Sequence, residues 1–106
     1  MAIQTVGVIG AGTTGNGIAH VFARSGHSVV LCDVEQKILD RALATIAANL
    51  DREVSKSKIT VEEKSATVAR IRPVLKRDEL APCAFVVEAA SERFELKAEI
   101  FRDLDR

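Results

Sequence analysis

An apolar, strand-like segment that runs directly into a glycine-rich turn constrains the fold of this chain more than any other feature. Residues 6–19 read VGVIGAGTTGNGIA, and Gly10, Gly12 and Gly15 have the spacing G-x-G-x-x-G. Apolar side chains then recur at helical spacing from Ile18 onwards, which predicts a helix directly after the turn. A buried strand, a glycine turn and a helix in this order are typical of a dinucleotide-binding fingerprint. Without that context, the same spacing indicates only a glycine-rich loop.

Each glycine of the turn has a separate expected role. Gly10 lets the chain turn sharply, Gly12 lets a pyrophosphate approach the backbone, and Gly15 lets the helix pack closely on the strand. The N–H groups and the dipole at the helix N-terminus favour the same anion. Gly17 costs the helix about 1 kcal/mol relative to alanine, so we expect a close ligand or helix–strand contact there. The predicted cofactor-binding residues of the turn are Gly10, Ala11, Gly12, Thr13, Thr14 and Gly15.

An acidic residue at the end of the second apolar run completes the fingerprint. Residues 28–33 read SVVLCD, which places Asp33 at the end of a predicted strand. A carboxylate at this point is expected to hold the ribose hydroxyls of the adenosine, and it could also cap the following helix. Because a carboxylate repels a 2′-phosphate and no arginine follows directly, the sequence favours NAD over NADP, although FAD-binding domains can share the fingerprint.

Composition excludes several classes of function. The chain has 106 residues, of which 47% are hydrophobic and only four are aromatic, so we expect one small domain with an aliphatic core. Fifteen basic and fifteen acidic residues cancel, which argues against nucleic acid or a membrane surface as the main partner. No run of about 18 apolar residues and no signal-peptide pattern occurs, so a cytoplasmic location is expected.

The cysteines and histidines do not form a recognisable metal or catalytic pattern. Cys32 and Cys83 lie in apolar strand patterns with no C-x-x-C spacing, which predicts buried, reduced thiols. His20 falls off the apolar face of the first helix and His27 lies in the loop after it. Both histidines are therefore predicted to be solvated surface residues.

Strands and helices alternate along the chain, which predicts an α/β fold of the Rossmann type with a parallel sheet and helices on both faces. We expect an incomplete sheet of about four strands in the order 3-2-1-4, with ligands bound at the switch between strands 1 and 4, beside residues 88–92. Pro73 predicts that strand 3 lies at a sheet edge or is irregular, and an apolar run predicts a central position for strand 4. A capping box begins the third helix at Thr60, and its Val61, Ser65 and Val68 are expected to face inward. The predicted strands cover 3–9, 28–32, 71–75 and 84–89; the predicted helices cover 15–25, a long segment from after Asp33 to 56 or 58, 60–69 and 94–104, with a single turn at 78–81.

Two motifs resemble the amino-terminal domain of the 3-hydroxyacyl-CoA dehydrogenases. The first is 6–19, and the second and more specific is 87–97, which reads VEAASERFELK and continues as IFRDLD at 100–105. Thr14 departs from the pattern, because relatives usually carry methionine there. The resemblance implies that Asp33 binds the adenosine ribose and that Glu92 and Lys97 lie along the nicotinamide half of the site. It also implies CoA contacts at Asn49 and Lys56.

Both pairs of residues implied by the resemblance have simpler alternatives. Glu92 and Lys97 read alone are a charged pair near a helix start. Lys56 has the chemistry to contact CoA phosphates, yet a lysine at a helix C-terminus is also favoured by the dipole. The resemblance covers essentially the whole chain.

The resemblance implies an NAD-dependent oxidation of the 3-hydroxyl of an acyl-CoA to a ketone. In the family a histidine takes the hydroxyl proton and a glutamate orients it. Both residues, and a helical carboxyl-terminal domain, belong to sequence beyond residue 106, so residues 1–106 are expected to form the amino-terminal part of the NAD-binding domain, without catalytic residues. The full-length protein is expected to be a homodimer. The alternatives are another NAD-dependent hydroxyacid dehydrogenase, or a regulatory or crystallin-like structural protein that binds NAD.

Overall fold

A computed structural model describes residues 5–89 of the chain. Four short strands alternate with three α-helices and one 3₁₀ turn in this segment. Their bounds are β1 Thr5–Ile9, α1 Thr13–Arg24, β2 Ser28–Cys32, α2 Gln36–Ser55, α3 Val61–Ala69, β3 Ile71–Val74, the 3₁₀ turn Arg77–Leu80 and β4 Phe85–Glu88. The helix predicted over 94–104 lies outside the described residues.

The four strands form one parallel sheet in the order β3-β2-β1-β4. In the register of this sheet, Val8 of β1 lies opposite Leu31 of β2 and Val87 of β4. The predicted α/β class, parallel sense and strand order are therefore confirmed. Pro73 is on the edge strand β3, opposite Leu31, where its missing N–H leaves no central ladder position unpaired.

Alternate side chains of the strands enter two aliphatic clusters, one on each face of the sheet. On the first face, α1 and α2 cover the sheet, and the cluster includes Val8, Leu31, Leu39, Ile46 and Leu50. On the second face, the 3₁₀ turn and the segment after it cover Val30, Cys32, Val74 and Val86 with Leu80 and Cys83. Because both faces are buried, the strands read as nearly continuous apolar runs.

The ends of the helices follow the local sequence signals. Gly26 has a φ of 99° just past the end of α1, as its position predicted. The capping box of α3 is present: Thr60 Oγ1 accepts from the Glu63 N–H at 3.0 Å, and Glu63 Oε1 accepts from the Thr60 N–H at 2.9 Å. Such a box satisfies two N–H groups that the helix itself cannot satisfy.

The predicted inward face of α3 is wrong. Val61 and Val68 are 60% and 38% exposed, and Ser65 is exposed as well. The buried residue is Thr67, whose hydroxyl donates to the Glu63 carbonyl at 2.8 Å. This helix is too short and too polar for its apolar residues to decide its orientation.

Strand β4 is not central in the described sheet. It pairs with β1 alone among the described strands, and Phe85 at its start is 39% exposed. Its apolar run reflects burial on both faces, because Val86 and Val87 enter the two different clusters. The hydrophobic pattern of the sequence alone does not distinguish an edge strand that is buried on both faces from a central strand.

The cysteine prediction is confirmed and the prediction for His27 is wrong. Cys32 and Cys83 are free and buried, and burial raises the pKa of both thiols. His27 is half-buried and its ring packs edge-on against Phe22, with centroids 5.8 Å apart. Among residues 5–89, no helix is long and apolar enough to cross a membrane.

Candidate cofactor-binding site

The glycine turn leaves β1 at the carboxyl edge of the sheet, where the strand order reverses between β2 and β4. Gly10 has a φ of 95°, a conformation that L side chains rarely adopt, and its N–H donates to the Cys32 carbonyl at 2.8 Å. A Cβ added to Gly15 would lie 1.6 Å from the Gly10 carbonyl oxygen. The expected roles of Gly10 in the turn and of Gly15 in close packing are therefore both visible in the geometry.

Helix α1 begins with its first turn uncapped by any side chain. Gly12 is the N-cap residue, it has no side chain to accept a hydrogen bond, and the first turn contains no acidic residue. Thr13 and Thr14 are exposed at the start of the helix. The positive end of the helix dipole is thus not offset by a carboxylate within its own first turn.

Gly12 and Gly17 differ from Gly15 because nothing lies within 4 Å of a Cβ added to either. The helix–strand contact considered for Gly17 is therefore absent from the described structure. Gly17 instead lines an open cavity between α1 and α2. At Gly12 the space is also open, which fits a backbone that a ligand can approach.

Asp33 is joined directly to the glycine turn. Its Oδ2 accepts from the Ala11 N–H at 2.9 Å and its Oδ1 accepts from the Glu35 N–H at 3.1 Å. The N-cap of α2 is Glu35, so the alternative role of Asp33 as the capping residue is not the one observed. The bond to Ala11 was not predicted from the sequence, although the pairing of Ile9 with Cys32 brings these two segments together.

A small cavity lies beside Asp33 at the end of the sheet. It has a volume of about 100 Å³, and its lining consists of Ile9, Gly10, Cys32, Asp33, Val34 and Arg77. Arg77 comes from the 3₁₀ turn after β3, far from Asp33 in sequence. Arg77 was not predicted as a site residue, because its position 44 residues after Asp33 lies outside the fingerprint.

Two larger cavities lie along the groove between α1 and α2. The first, of about 440 Å³, lies between the glycine turn and α2, and includes Ala11, Gly12, Thr13 and Asn49 in its lining. The second, of about 360 Å³, is lined by Gly17, His20, Asn49, Arg52, Glu53, Lys56 and Lys58. Asn49 belongs to both linings, so the two cavities adjoin. The fold therefore brings Asn49 and Lys56 together, next to the cavity that contains the glycine turn.

The second cavity carries a cluster of positive side chains. Arg52, Lys56 and Lys58 line it, and Arg52 also donates to the side-chain oxygen of Asn49. Its carboxylate, Glu53, is paired with Arg24, with Nη2 and Oε2 2.9 Å apart. The lining thus favours an anionic ligand.

Glu53 connects α2 to α1 through His20 and Arg24, and its contact with His20 shows that the prediction for His20 was wrong. His20 is half-buried, and its Nε2 lies 3.2 Å from Glu53 Oε1. The sequence predicted a solvated His20, because the pattern of α1 alone could not show that a carboxylate of α2 faces it. The hydrogen bond from Arg24 is the main cause that lowers the pKa of Glu53, with His20 acting in the same direction.

Replacing Glu53 with glutamine is expected to destabilise the chain by about 1 kcal/mol near pH 7, because the Arg24 pair loses its charge. The folded pKa of Glu53 lies below its ordinary value, so its contribution is present above that value and is lost as the pH falls through the folded pKa. Urea unfolding at a series of pH values should show the stabilities of the two proteins converging as the pH falls below the ordinary pKa of a glutamate, about 4.3, and through the folded pKa of Glu53.

The exposed Glu62 offers a control for this measurement. Glu62→Gln removes one negative charge without breaking a contact between helices. Its free energy of unfolding should therefore be close to that of the unsubstituted chain at neutral pH. An equal loss of stability in both variants would contradict the role of Glu53 as a link between α1 and α2.

Glu92 and Lys97, predicted at the nicotinamide half of the site, lie outside the described residues. The described part of that segment ends at Ala89, directly after β4, and the Ala89 N–H donates to the Ile9 carbonyl at 2.8 Å.

The sequence of residues 5–106 matches the family described as "3-hydroxyacyl-CoA dehydrogenase, NAD binding domain". The chain is 50% identical over 102 residues to a 3-hydroxybutyryl-CoA dehydrogenase of Bradyrhizobium diazoefficiens, covering 96% of this chain and 35% of that protein. It is 45% identical over 102 residues to a 3-hydroxyadipyl-CoA dehydrogenase of Escherichia coli, covering 96% of this chain and 22% of that protein.

Solved structures agree with this assignment. The crystal structure of (S)-3-hydroxybutyryl-CoA dehydrogenase from Ralstonia eutropha superimposes with a TM-score of 0.83 at 41% identity, covering 88% of this chain and 33% of that one. The chain spans about a third or less of the length of these three relatives. The predicted cofactor, NAD, is confirmed by the family that is matched. The family match, the similar sequences and the similar structure show that this chain belongs to the NAD-binding domain family of the 3-hydroxyacyl-CoA dehydrogenases, and its glycine fingerprint and strand order agree with this.

Proposed function

We propose that this chain forms the cofactor-binding part of an enzyme that oxidises the 3-hydroxyl of an acyl-CoA to a ketone with NAD. The observation that carries the proposal is the junction between Asp33 and the glycine turn at the carboxyl edge of the sheet. It joins the two halves of the fingerprint at the edge where open α/β sheets bind ligands.

The residues of the turn fit a dinucleotide. The first turn of α1 has an uncapped helix end, and the space beside Gly12 is open. Gly10, Ala11, Gly12, Thr13, Thr14 and Gly15 would hold the pyrophosphate through backbone N–H groups, and Asp33 would accept hydrogen bonds from the ribose hydroxyls. Bound NAD supplies the nicotinamide ring that accepts the hydride.

The groove between α1 and α2 is the proposed place for the CoA part of the substrate. Asn49 and Lys56 line one cavity with Arg52 and Lys58, and this cavity adjoins the one that contains the glycine turn. An ammonium group acts as a point charge on a phosphate, which suits the anionic end of CoA. Asn49 would then lie between the cofactor and the phosphates of the substrate.

The remaining parts of the proposal rest on the family. Glu92 and Lys97 would line the nicotinamide half of the site, and the proton-accepting histidine with its glutamate would come from sequence beyond residue 106. The full-length protein is proposed to act as a homodimer in the cytoplasm.

Calorimetric titration with NAD, NADP and acetoacetyl-CoA, in parallel, tests the proposal. NAD should bind more tightly than NADP, because the Asp33 carboxylate repels a 2′-phosphate. Lys56→Ala should weaken acetoacetyl-CoA binding by about two- to fivefold and leave NAD unchanged, because one exposed charge contact is lost.

Lys37→Ala is the matched control, since Lys37 is an exposed lysine near the opposite end of the same helix. This variant should bind NAD and acetoacetyl-CoA with the same affinities as the unsubstituted chain. Failure of NAD to bind would contradict the cofactor site, whereas equal effects of the two lysine variants would contradict only the CoA contact.

A further inference from the structure

We propose that Arg77 is a cofactor-binding residue whose guanidinium stacks on the adenine ring of the dinucleotide, with Val34 on the other side of the ring. This inference rests on the proposed function, because it assumes that a dinucleotide occupies the site at Asp33. It adds a side chain that neither the fingerprint nor the resemblance assigns to the cofactor.

The position of the small cavity carries the first step. It adjoins Asp33 and Gly10, and Ile9, Cys32 and Val34 provide most of its remaining wall. The ribose expected at Asp33 is bonded to adenine on one side and to the pyrophosphate on the other. Since the pyrophosphate is directed towards α1, the adenine is directed into this apolar cavity.

Val34 supplies one wall that an aromatic ring could cover. It follows Asp33 directly and is 82% exposed, the largest exposure among the large apolar side chains of the described residues. A single exposed valine is ordinary on a protein surface. An exposed valine in the lining of the small cavity beside Asp33 is more informative, because a flat ring placed there would remove the valine side chain from water.

Arg77 also lines this cavity. Its side chain is 65% exposed, and its Nη2 lies 3.6 Å from Glu88 Oε2 at the end of β4. An exposed ion pair of this length contributes little to stability, but it places the guanidinium between the cavity and the end of β4. Burial raises the pKa of the Cys32 thiol, and the charge of Arg77 acts against that shift.

The chemistry of the two groups matches. A guanidinium is planar, delocalised and weakly hydrated, so it stacks on aromatic faces, whereas an ammonium acts as a compact point charge. Arginine contributes in the same way to nucleobase binding on single strands. Glu88 would act as a positioning residue that keeps the guanidinium over the cavity while leaving its face free.

Calorimetric titration of the full chain with AMP, NAD and NADP tests the proposal. Arg77→Ala should lower the affinities for AMP and for NAD by a similar factor, about three- to tenfold, because both ligands contain the adenine. Arg77→Lys should lose most of the same affinity, since it keeps the charge and loses the planar group. Circular dichroism and urea unfolding of each variant establish that the fold is retained.

Arg72→Ala is the matched control. Arg72 is 61% exposed on the neighbouring strand β3, and it pairs with Glu79 at 2.7 Å, but it does not line the cavity. It should leave all three affinities unchanged.

Four outcomes would overturn the inference. If Arg77→Lys binds AMP as tightly as the unsubstituted chain, charge and not stacking is responsible. If Arg77→Ala weakens NADP alone, the arginine contacts a 2′-phosphate instead of the base. If NAD binds normally to Arg77→Ala, Arg77 is not a cofactor residue, although the proposed function stands; failure of the unsubstituted chain to bind any of the three would overturn both.

Discussion

Replacing Gly15 with alanine is expected to destabilise the fold by at least about 3 kcal/mol, which is enough to unfold much of a marginally stable domain. The added Cβ would lie 1.6 Å from the Gly10 carbonyl oxygen and 2.7 Å from its carbon. Both atoms belong to the backbone, so no side-chain rotation can relieve the overlap. Either α1 must move away from β1 or the turn must open, and both changes separate the packed elements.

Gly17→Ala is the matched control for this prediction. Gly17 lies in the same helix, two residues further on, and nothing lies within 4 Å of an added Cβ. Alanine there should stabilise the chain by about 0.5–1 kcal/mol, because only the helix propensity changes. Urea unfolding of the two variants and the unsubstituted chain gives both values. A Gly15→Ala protein within about 0.5 kcal/mol of the unsubstituted chain would contradict the close approach.

The contrast between these glycines shows how much of the turn the sequence could reveal. The spacing G-x-G-x-x-G, in its setting between strand and helix, predicted the sharp turn at Gly10 and the close packing at Gly15. It could not separate Gly17 from Gly15, because the spacing states which positions lack a side chain and not what lies opposite them. That information depends on the crossing of α1 over β1, which only the assembled sheet defines.

The same distinction applies to the rest of the fold. Strand order followed from local patterns, because buried parallel strands and the helices between them allow few topologies. The inward face of α3 and the environments of His20 and His27 could not be predicted in this way. The environment of His20, for example, depends on its contact with a distant residue, Glu53 of α2.

The site shows a similar division. Asp33 and the glycines were found by spacing, because the fingerprint is local to one β1-α1-β2 unit. Arg77 was not predicted because it enters the lining of the cavity beside Asp33 from another crossover, 44 residues later in the sequence. The sequence fingerprint therefore predicts the pyrophosphate and ribose contacts more readily than the side chains that surround the base.

The second large expected effect is that of Asp33→Ala on the choice of cofactor. Removing a carboxylate that accepts hydrogen bonds from the ribose should weaken NAD by about 1–3 kcal/mol, which is roughly five- to 150-fold. NADP should lose much less affinity, or gain affinity, because the repulsion between the carboxylate and the 2′-phosphate disappears. Parallel calorimetric titrations with the two cofactors measure the ratio of their affinities.

This ratio, and not the loss of NAD binding alone, decides the role of Asp33. Its carboxylate also holds the N–H groups of Ala11 and Glu35, so the alanine variant loosens the glycine turn whether or not the ribose is contacted. A looser turn would lower the affinities for NAD and NADP equally, because the pyrophosphates of the two cofactors are identical. An unchanged ratio would therefore assign Asp33 to the support of the turn, while a ratio shifted towards NADP would assign it to the ribose, as the fingerprint predicts.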